Sequence, residues 1–166
     1  MSNHFYKTAE VQRLSDKSIE VRRSFNASKD LVYKAQTTPA LLKRWMLGPP
    51  GWQMPVCEMD LKAGGKYRWR WKNIEDQSEF GFFGVFREVH AAEKLVYSQK
   101  FDPGTLGGDM GGECVITVTF SEMAGKATMN TRIDYKSKED LEKAVATGMT
   151  DGMEMSYAAL DNILGT

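Results

Sequence analysis

Residues 66–72 alternate strictly between cationic and aromatic side chains. The aromatic members are Tyr67, Trp69 and Trp71, and the cations are Lys66, Arg68, Arg70 and Lys72. Successive side chains of a β-strand point to opposite faces of a sheet, so this period of two places the rings on one face and the cations on the other. The pattern predicts an antiparallel sheet with one face on a core and a solvated outer face, the alternative for the cations being attraction of an anion.

Six further segments have strand-like patterns and lie at 19–25, 56–61, 79–90, 94–101, 113–121 and 127–135. With 66–72 they predict a seven-stranded antiparallel sheet in meander order. The pair at 64–65 is Gly-Gly, which is typical of a tight hairpin. Residues 1–17 show no sustained period, and we expect them to form an N-terminal extension before a single domain at 18–166.

Two short helices are predicted after the first strand. Ser28 can cap a helix that continues through Gln36. Thr38 followed by Pro39 is a second start signal, because a hydroxyl at the cap and proline at the first helical position suit a helix N-terminus. Gly48 is expected to end this second helix.

A long C-terminal helix is predicted from Ser137 to Leu164, with no proline in between. Its apolar stripe consists of Leu141, Val145, Met149, Met153, Tyr157, Leu160 and Leu164. Gly148 and Gly152 lie beside the stripe and cost roughly 1 kcal/mol each relative to Ala. Two explanations stay open: close approach of the sheet, which we favour, or space left for a bound molecule.

Composition narrows the classes of function. With 42% hydrophobic and 27% charged residues the chain has ordinary globular composition, and its formal net charge of zero lacks the basic excess of a nucleic-acid binder. Apolar runs such as 82–86 are too short to span a bilayer, and the polar N-terminus has no signal-peptide pattern. We therefore expect a cytoplasmic protein with neither a membrane nor a nucleic-acid partner.

No motif in the sequence indicates a metal, a cofactor or a catalytic residue. His4 and His90 are too few and too far apart for a metal site, and Cys57 and Cys114 have no CxxC spacing, which favours two reduced core thiols. The glycine-rich segment 104–112 lacks the Gly-Lys-Ser/Thr ending of a phosphate loop. We predict a flexible hairpin loop there, with a lid over a cavity as the alternative.

Several short phrases, in this order and spacing, resemble a known family. They lie at 25–27, 31–35, 37–39, 44–45, 48–49, 60, 64–65, 84, 88–89, 93–96, 148–149, 152, 156–157 and 160. The chain resembles proteins similar to the C-terminal domain of the Hsp90 ATPase activator, within the START-like, Bet v 1-like (SRPBCC) superfamily. The resemblance implies an α+β helix-grip fold, in which a seven-stranded antiparallel sheet wraps around a long C-terminal helix.

The superfamily commonly encloses a cavity for hydrophobic small molecules, which gives the large inward side chains of this chain a second interpretation besides core packing. The residues expected to line such a cavity are Trp45, Trp52, Trp69, Trp71, Phe82, Phe86, Tyr97, Phe101, Met149, Met153 and Tyr157. We therefore predict that a hydrophobic or amphipathic small molecule binds between the sheet and the C-terminal helix.

Three other predictions stay open. Some superfamily members are cyclases or hydrolases, and an enzyme using this cavity would need an acid or base such as Glu58 or His90. The family name also implies a chaperone-interacting module, with a role in stress response. Pairing of two copies through exposed sheet edges is a further interpretation.

Overall fold

The structure, a computed structural model, describes residues 4–108 and 112–165. In chain order its elements are β1 (Glu10–Arg13), β2 (Ser18–Phe25), α1 (Lys29–Thr37), α2 (Pro39–Trp45), β3 (Trp52–Met59), β4 (Lys66–Asn73), β5 (Glu79–His90), β6 (Lys94–Asp102), β7 (Cys114–Met123), β8 (Lys126–Asp134), α3 (Lys138–Ala146) and α4 (Met149–Leu164). The strands form one sheet in the order β1-β2-β8-β7-β6-β5-β4-β3, and all neighbours are antiparallel. The α+β class is confirmed.

The predicted number of strands is wrong, because the described residues form eight strands rather than seven. The additional strand is β1, which lies in the segment expected to be an extension and pairs with β2 from Glu10 opposite Arg22 to Arg13 opposite Ile19. All four side chains of β1 are exposed. No alternation of apolar and polar residues therefore marks this edge strand in the sequence.

The alternation in β4 is confirmed by its burial. Its three rings are buried, Lys66 and Arg68 are exposed, and Arg70 and Lys72 are partly buried. Arg70 donates to the Asp102 carboxylate on the outer face at 2.5 Å. One face of the sheet thus belongs to the core, and the other carries the cations.

Side-chain hydrogen bonds fix the start of α1 and the packing of α2 against it. The Ser28 hydroxyl accepts a hydrogen bond from the backbone N–H of Leu31 at 3.3 Å, so the predicted cap is confirmed. The indole N–H of Trp45 donates to the carbonyl oxygen of Ala35 at 3.0 Å. Because Trp45 is buried, this bond holds the end of α2 against α1 inside the core.

The prediction of a single long C-terminal helix is wrong, because the helix is interrupted between α3 and α4. Ser137 caps α3 as expected by accepting from the N–H of Asp140 at 3.1 Å. At Gly148 the backbone enters the left-handed region, with φ of 78°, which glycine adopts without strain. Val145, which the predicted stripe would bury, lies near the end of α3 and is exposed.

The favoured explanation for the two glycines is also wrong. A Cβ atom built on Gly148 or on Gly152 would meet no heavy atom of the described residues within 4 Å. The sheet therefore does not approach the helix closely at either position. Gly148 is explained by its backbone conformation, whereas Gly152 is an ordinary helical residue beside open space.

A buried cation fastens α4 to the sheet. Arg23 on β2 is only 3% exposed and donates to Glu154 at 3.0 Å and to Asp161 at 2.7 Å. Burial lowers the pKa of Arg23, but the hydrogen bonds and charges of the two carboxylates outweigh it and leave the pKa raised. The Glu154 carboxylate also accepts from the N–H of Ala9 at 2.6 Å, so the N-terminal segment is tied to the same helix.

Among the described residues, no helix combines the length and the apolar character needed to cross a membrane.

Candidate functional site: a cavity between sheet and helix

A cavity of about 530 Å³ lies between the buried face of the sheet, α2 and α4. Its wall includes side chains from six strands, β3 to β8, together with the connection that follows α2. Ligand pockets in proteins commonly measure roughly 300–1,000 Å³. The space is therefore large enough for a small organic molecule and exceeds an ordinary packing defect.

Ten of the eleven residues expected from the sequence lie on this wall: Trp45, Trp52, Trp69, Trp71, Phe82, Tyr97, Phe101, Met149, Met153 and Tyr157. Phe86 does not. It is buried in the core, where the rings of Tyr67 and Tyr97 cover it at centroid distances of 5.4 and 5.8 Å. That the ten residues contact a ligand stays a prediction.

One side of the cavity is a cluster of rings, which we call the aromatic end: Trp52, Trp71, Phe80, Phe82 and Phe101. Phe80 stacks on Trp71 at 5.2 Å and meets Trp52 edge-on at 5.2 Å, and Phe82 lies 5.7 Å from Phe101. The N–H of Trp71 donates to the Met46 carbonyl oxygen at 2.7 Å. This end offers flat apolar surface on which a ring system can pack.

Another part of the wall is polar and deeply buried. We call it the polar end: Gln36, Tyr97, Thr131 and Tyr157, each at most 6% exposed. Burial raises the pKa of Tyr157 to about 12, although a hydrogen bond with Thr131 acts in the opposite direction. Burial also raises the pKa of Tyr97, and the neighbouring Tyr157 and Cys114 raise it further by smaller amounts. These phenols stay neutral near neutral pH.

Gln36 and Thr131 were not predicted from the sequence. Gln36 follows Val32 by four residues on α1, and both are buried, so Gln36 occupies a position on the apolar face of that helix. Thr131 lies between the buried Met129 and Ile133 on the inward face of β8. Their positions in the two periodic patterns were the signal that could have identified them.

The cavity opens where its wall residues are exposed to solvent. They lie at the connection after α2, in the loop after β6 and at the break between α3 and α4. They are Pro49, Leu106, Gly107, Gly108, Gly112, Thr147, Gly148, Asp151 and Met155. Among the described wall residues, Asp151 is the only charged one. The interior is thus apolar or neutral, and the single carboxylate stands at the opening.

The glycine-rich segment begins as an ordered turn. The backbone N–H groups of Thr105 and Leu106 both donate to the carbonyl oxygen of Glu79 at 3.0 Å, and Thr105 Oγ1 accepts from the N–H of Glu79 at 2.8 Å. Leu106 and residues 107–108 border the opening. Residues 109–111 lie outside the described residues, so both the hairpin-loop and the lid interpretations stay predictions.

Both cysteines are free thiols, as predicted. Cys114 is buried on the cavity wall, and burial raises its pKa to about 12. Cys57 is half-buried away from the cavity, and burial raises its pKa to about 11. Both thiols are therefore protonated near neutral pH, and Cys114 contributes a small apolar surface.

The acid and base candidates are not at the cavity. Glu58 and His90 are both exposed, and His90 lies 3.2 Å from the Glu88 carboxylate. Among the described residues, no group of three His, Cys, Asp or Glu side chains could hold a metal ion. Apart from Asp151 at the opening, the described wall provides apolar contact and neutral hydrogen-bonding groups.

The antiparallel sheet and the helices packed on it together define the class: an α+β domain of the START-like, helix-grip type. Within that class the chain belongs to the family described as Activator of Hsp90 ATPase homolog 1-like protein, whose sequence profile matches residues 26–165. The match confirms the resemblance seen in the sequence.

Solved structures agree with this fold. A protein of Rhodobacter sphaeroides is 27% identical, with a TM-score of 0.86 and coverage of 95% of this chain and 97% of that one. Protein Ms6760 of Mycobacterium smegmatis is 19% identical, with a TM-score of 0.83 and coverage of 96% and 98%. A protein of Arthrobacter aurescens is 23% identical, with a TM-score of 0.80 and coverage of 93% and 90%. No curated protein is significantly similar in sequence.

Proposed function

We propose that this protein binds a hydrophobic or amphipathic small molecule in the cavity between the sheet and α4. The observation that carries the proposal is the cavity itself, about 530 Å³ with a wall of tryptophan, phenylalanine and methionine side chains. A packed core leaves few voids larger than a water molecule. An apolar space of this size is therefore costly to keep unless a guest occupies it.

The wall is also suited to guests of different shapes. Met149 and Met153 on α4 share the cavity wall with the rings of the sheet. Unbranched thioether side chains repack readily, whereas the rings provide rigid flat surfaces. This combination favours binding of a ring-bearing or aliphatic molecule by apolar contact.

The first experiment is native mass spectrometry of the purified protein beside a denatured control. A non-covalent added mass that disappears on denaturation supports the proposal and gives the class of ligand. If the native protein carries no added mass, the neutral fluorophore 6-propionyl-2-dimethylaminonaphthalene (prodan) is titrated into it. We expect a blue shift of prodan emission with a saturable, one-to-one isotherm.

Gly152 offers a matched pair of variants for locating this binding. Gly152→Leu places an isobutyl group into space that is open in the structure, and Gly152→Ala places only a methyl group there. We expect prodan affinity to fall at least roughly tenfold in the leucine variant, because the new side chain takes up space in which ligand surface equivalent to several methylene groups would be buried. The alanine variant is expected to retain most of the affinity. Equal affinity in both variants would contradict binding in this cavity.

The family match motivates a second proposal, interaction with a chaperone of the Hsp90 type, since the family description names an activator of that ATPase. A stoichiometric complex in a pull-down with the purified chaperone would support it. Enzymatic use of the cavity has less support, because Glu58 and His90 lie outside it. A cytoplasmic location and pairing of two copies stay predictions.

A further inference from the structure

We infer that the ligand of this cavity is uncharged and places a neutral polar group, a hydroxyl or a carbonyl, at the polar end while its apolar body packs against the aromatic end. This inference deepens the proposed function and rests on it. It specifies the chemical class of the ligand and the end that enters first.

The first argument is the hydrogen-bonding capacity left at the polar end. Gln36 is 5% exposed and lines the cavity, yet the described residues offer its amide no hydrogen-bond partner. The hydroxyl of Tyr97, also 5% exposed, is likewise without a hydrogen bond within the described part of the chain. Neither group is among the described polar atoms that are fully buried without a partner, whereas the indole N–H of Trp69 on the same wall is. The Gln36 and Tyr97 groups are therefore open to the cavity, where a ligand can bond them, and buried amides and hydroxyls are nearly always paired.

The second argument concerns charge. No Lys, Arg, Asp or Glu side chain belongs to the polar end, and Asp151 at the opening is the only charged side chain on the described wall. Arg23 is buried nearby on β2, but it does not line the cavity and its guanidinium is engaged by Glu154 and Asp161. An ionised ligand group at the polar end would lose its hydration without gaining a counter-charge.

The third argument is the arrangement of the two ends along the sheet. Thr131 lies on β8, and the aromatic end is built largely on β4 and β5, with β7 and β6 between β8 and β5. Neighbouring strands are about 4.8 Å apart, so β8 and β5 are separated by roughly 14 Å along the sheet. Tyr97 of the polar end lies on β6, next to β5, and its ring is 6.1 Å from that of Trp69. A compact ring-bearing molecule can therefore reach Tyr97 from the aromatic end, whereas only an elongated one also reaches Thr131.

The experiment compares three probes with the same ring system, measured by isothermal titration calorimetry near neutral pH. 2-Naphthol carries a neutral hydroxyl, 2-methylnaphthalene replaces it by a methyl group of similar size, and 2-naphthoate carries a negative charge. We expect 2-naphthol to bind roughly 3- to 10-fold more tightly than 2-methylnaphthalene, as one or more neutral hydrogen bonds would give. We expect 2-naphthoate to bind more weakly than both.

Variants assign the preference to the polar end. Gln36→Met and Tyr97→Phe remove a polar group with little change of shape, and each is expected to reduce 2-naphthol affinity roughly 3- to 10-fold while leaving 2-methylnaphthalene affinity unchanged. Gln53→Met and Tyr33→Phe make the same chemical changes away from the cavity wall and are expected to alter neither affinity.

The outcomes separate this inference from the proposed function. If all three probes bind equally well and the Gln36 and Tyr97 variants have no effect, the inference is overturned while binding in the cavity stands. If 2-naphthoate binds most tightly, the neutral character of the polar end is refuted. If neither prodan nor any naphthalene probe binds, both the proposed function and the inference are wrong.

Discussion

Replacing two glycines by alanine, one at a time, should change the stability of this protein in opposite directions. A Cβ atom at either Gly148 or Gly152 would meet no heavy atom within 4 Å among the described residues, so crowding does not distinguish the two sites. The backbone does. Gly152 is a residue of α4, whereas Gly148 has φ of 78° at the break before that helix.

The magnitudes follow from this difference. Alanine is favoured over glycine in a helix interior by about 1 kcal/mol, so Gly152→Ala should raise the free energy of unfolding by up to that amount. A left-handed backbone costs an L-residue roughly 1–2 kcal/mol, so Gly148→Ala should lower the free energy of unfolding by about 1 kcal/mol. For a chain of 166 residues, 1 kcal/mol corresponds to a shift in Tm of roughly 2–4 °C.

The assay is urea unfolding followed by tryptophan fluorescence and by circular dichroism. With an m-value of roughly 1–3 kcal/mol/M, each change should move the midpoint by about 0.3–1 M, upward for Gly152→Ala and downward for Gly148→Ala. A lower midpoint for Gly152→Ala would refute the conclusion that the space beside α4 is open. An unchanged or higher midpoint for Gly148→Ala would refute the left-handed break.

Three further predictions concern thiols, a helix cap and an indole. Burial raises the pKa of Cys57 to about 11 and of Cys114 to about 12, so at mildly alkaline pH both thiols should react with a disulfide reagent at least about 100-fold more slowly than free cysteine. Both reactions should become faster as the pH rises. Bound prodan should protect Cys114 and leave Cys57 unaffected, which peptide mapping of the labelled protein can show. Ser137→Ala should lower the free energy of unfolding by about 1 kcal/mol through loss of the α3 cap, and no change in the urea midpoint would contradict it. Trp45→Phe should cost about 1–3 kcal/mol in the same assay, because the buried carbonyl oxygen of Ala35 loses its donor, and a smaller cost would show that the bond is dispensable.

Much of the sheet was predictable because one of its faces is buried. The rings and cations of β4 alternate without exception, so strand, face and core position all follow from one pattern. Strand β1 has no buried face, and no local pattern in the sequence indicates that it pairs with β2. The edge strand could therefore not be predicted from composition or periodicity.

The break before α4 shows a different limit. Glycine at position 148 can continue a helix at a modest free-energy cost, or adopt a left-handed backbone conformation at no cost. The apolar residues of the sequence continue with helical spacing on both sides of it. Local sequence does not decide between the two. The aromatic part of the cavity wall was predictable from large inward residues, but Gln36 was not, because a polar residue on an apolar helix face gains its meaning only from the cavity beside it.

The indole groups have a consequence for how such a cavity can diversify. Trp45 and Trp71 each direct a ring to the wall while their N–H groups hold backbone carbonyl oxygens of Ala35 and Met46. Altering either ring therefore shifts the framework together with the lining. Phe101 contributes an apolar surface without such a bond among the described residues. Changes of ligand preference are expected to accumulate at positions of this second kind, with the tryptophans retained as framework.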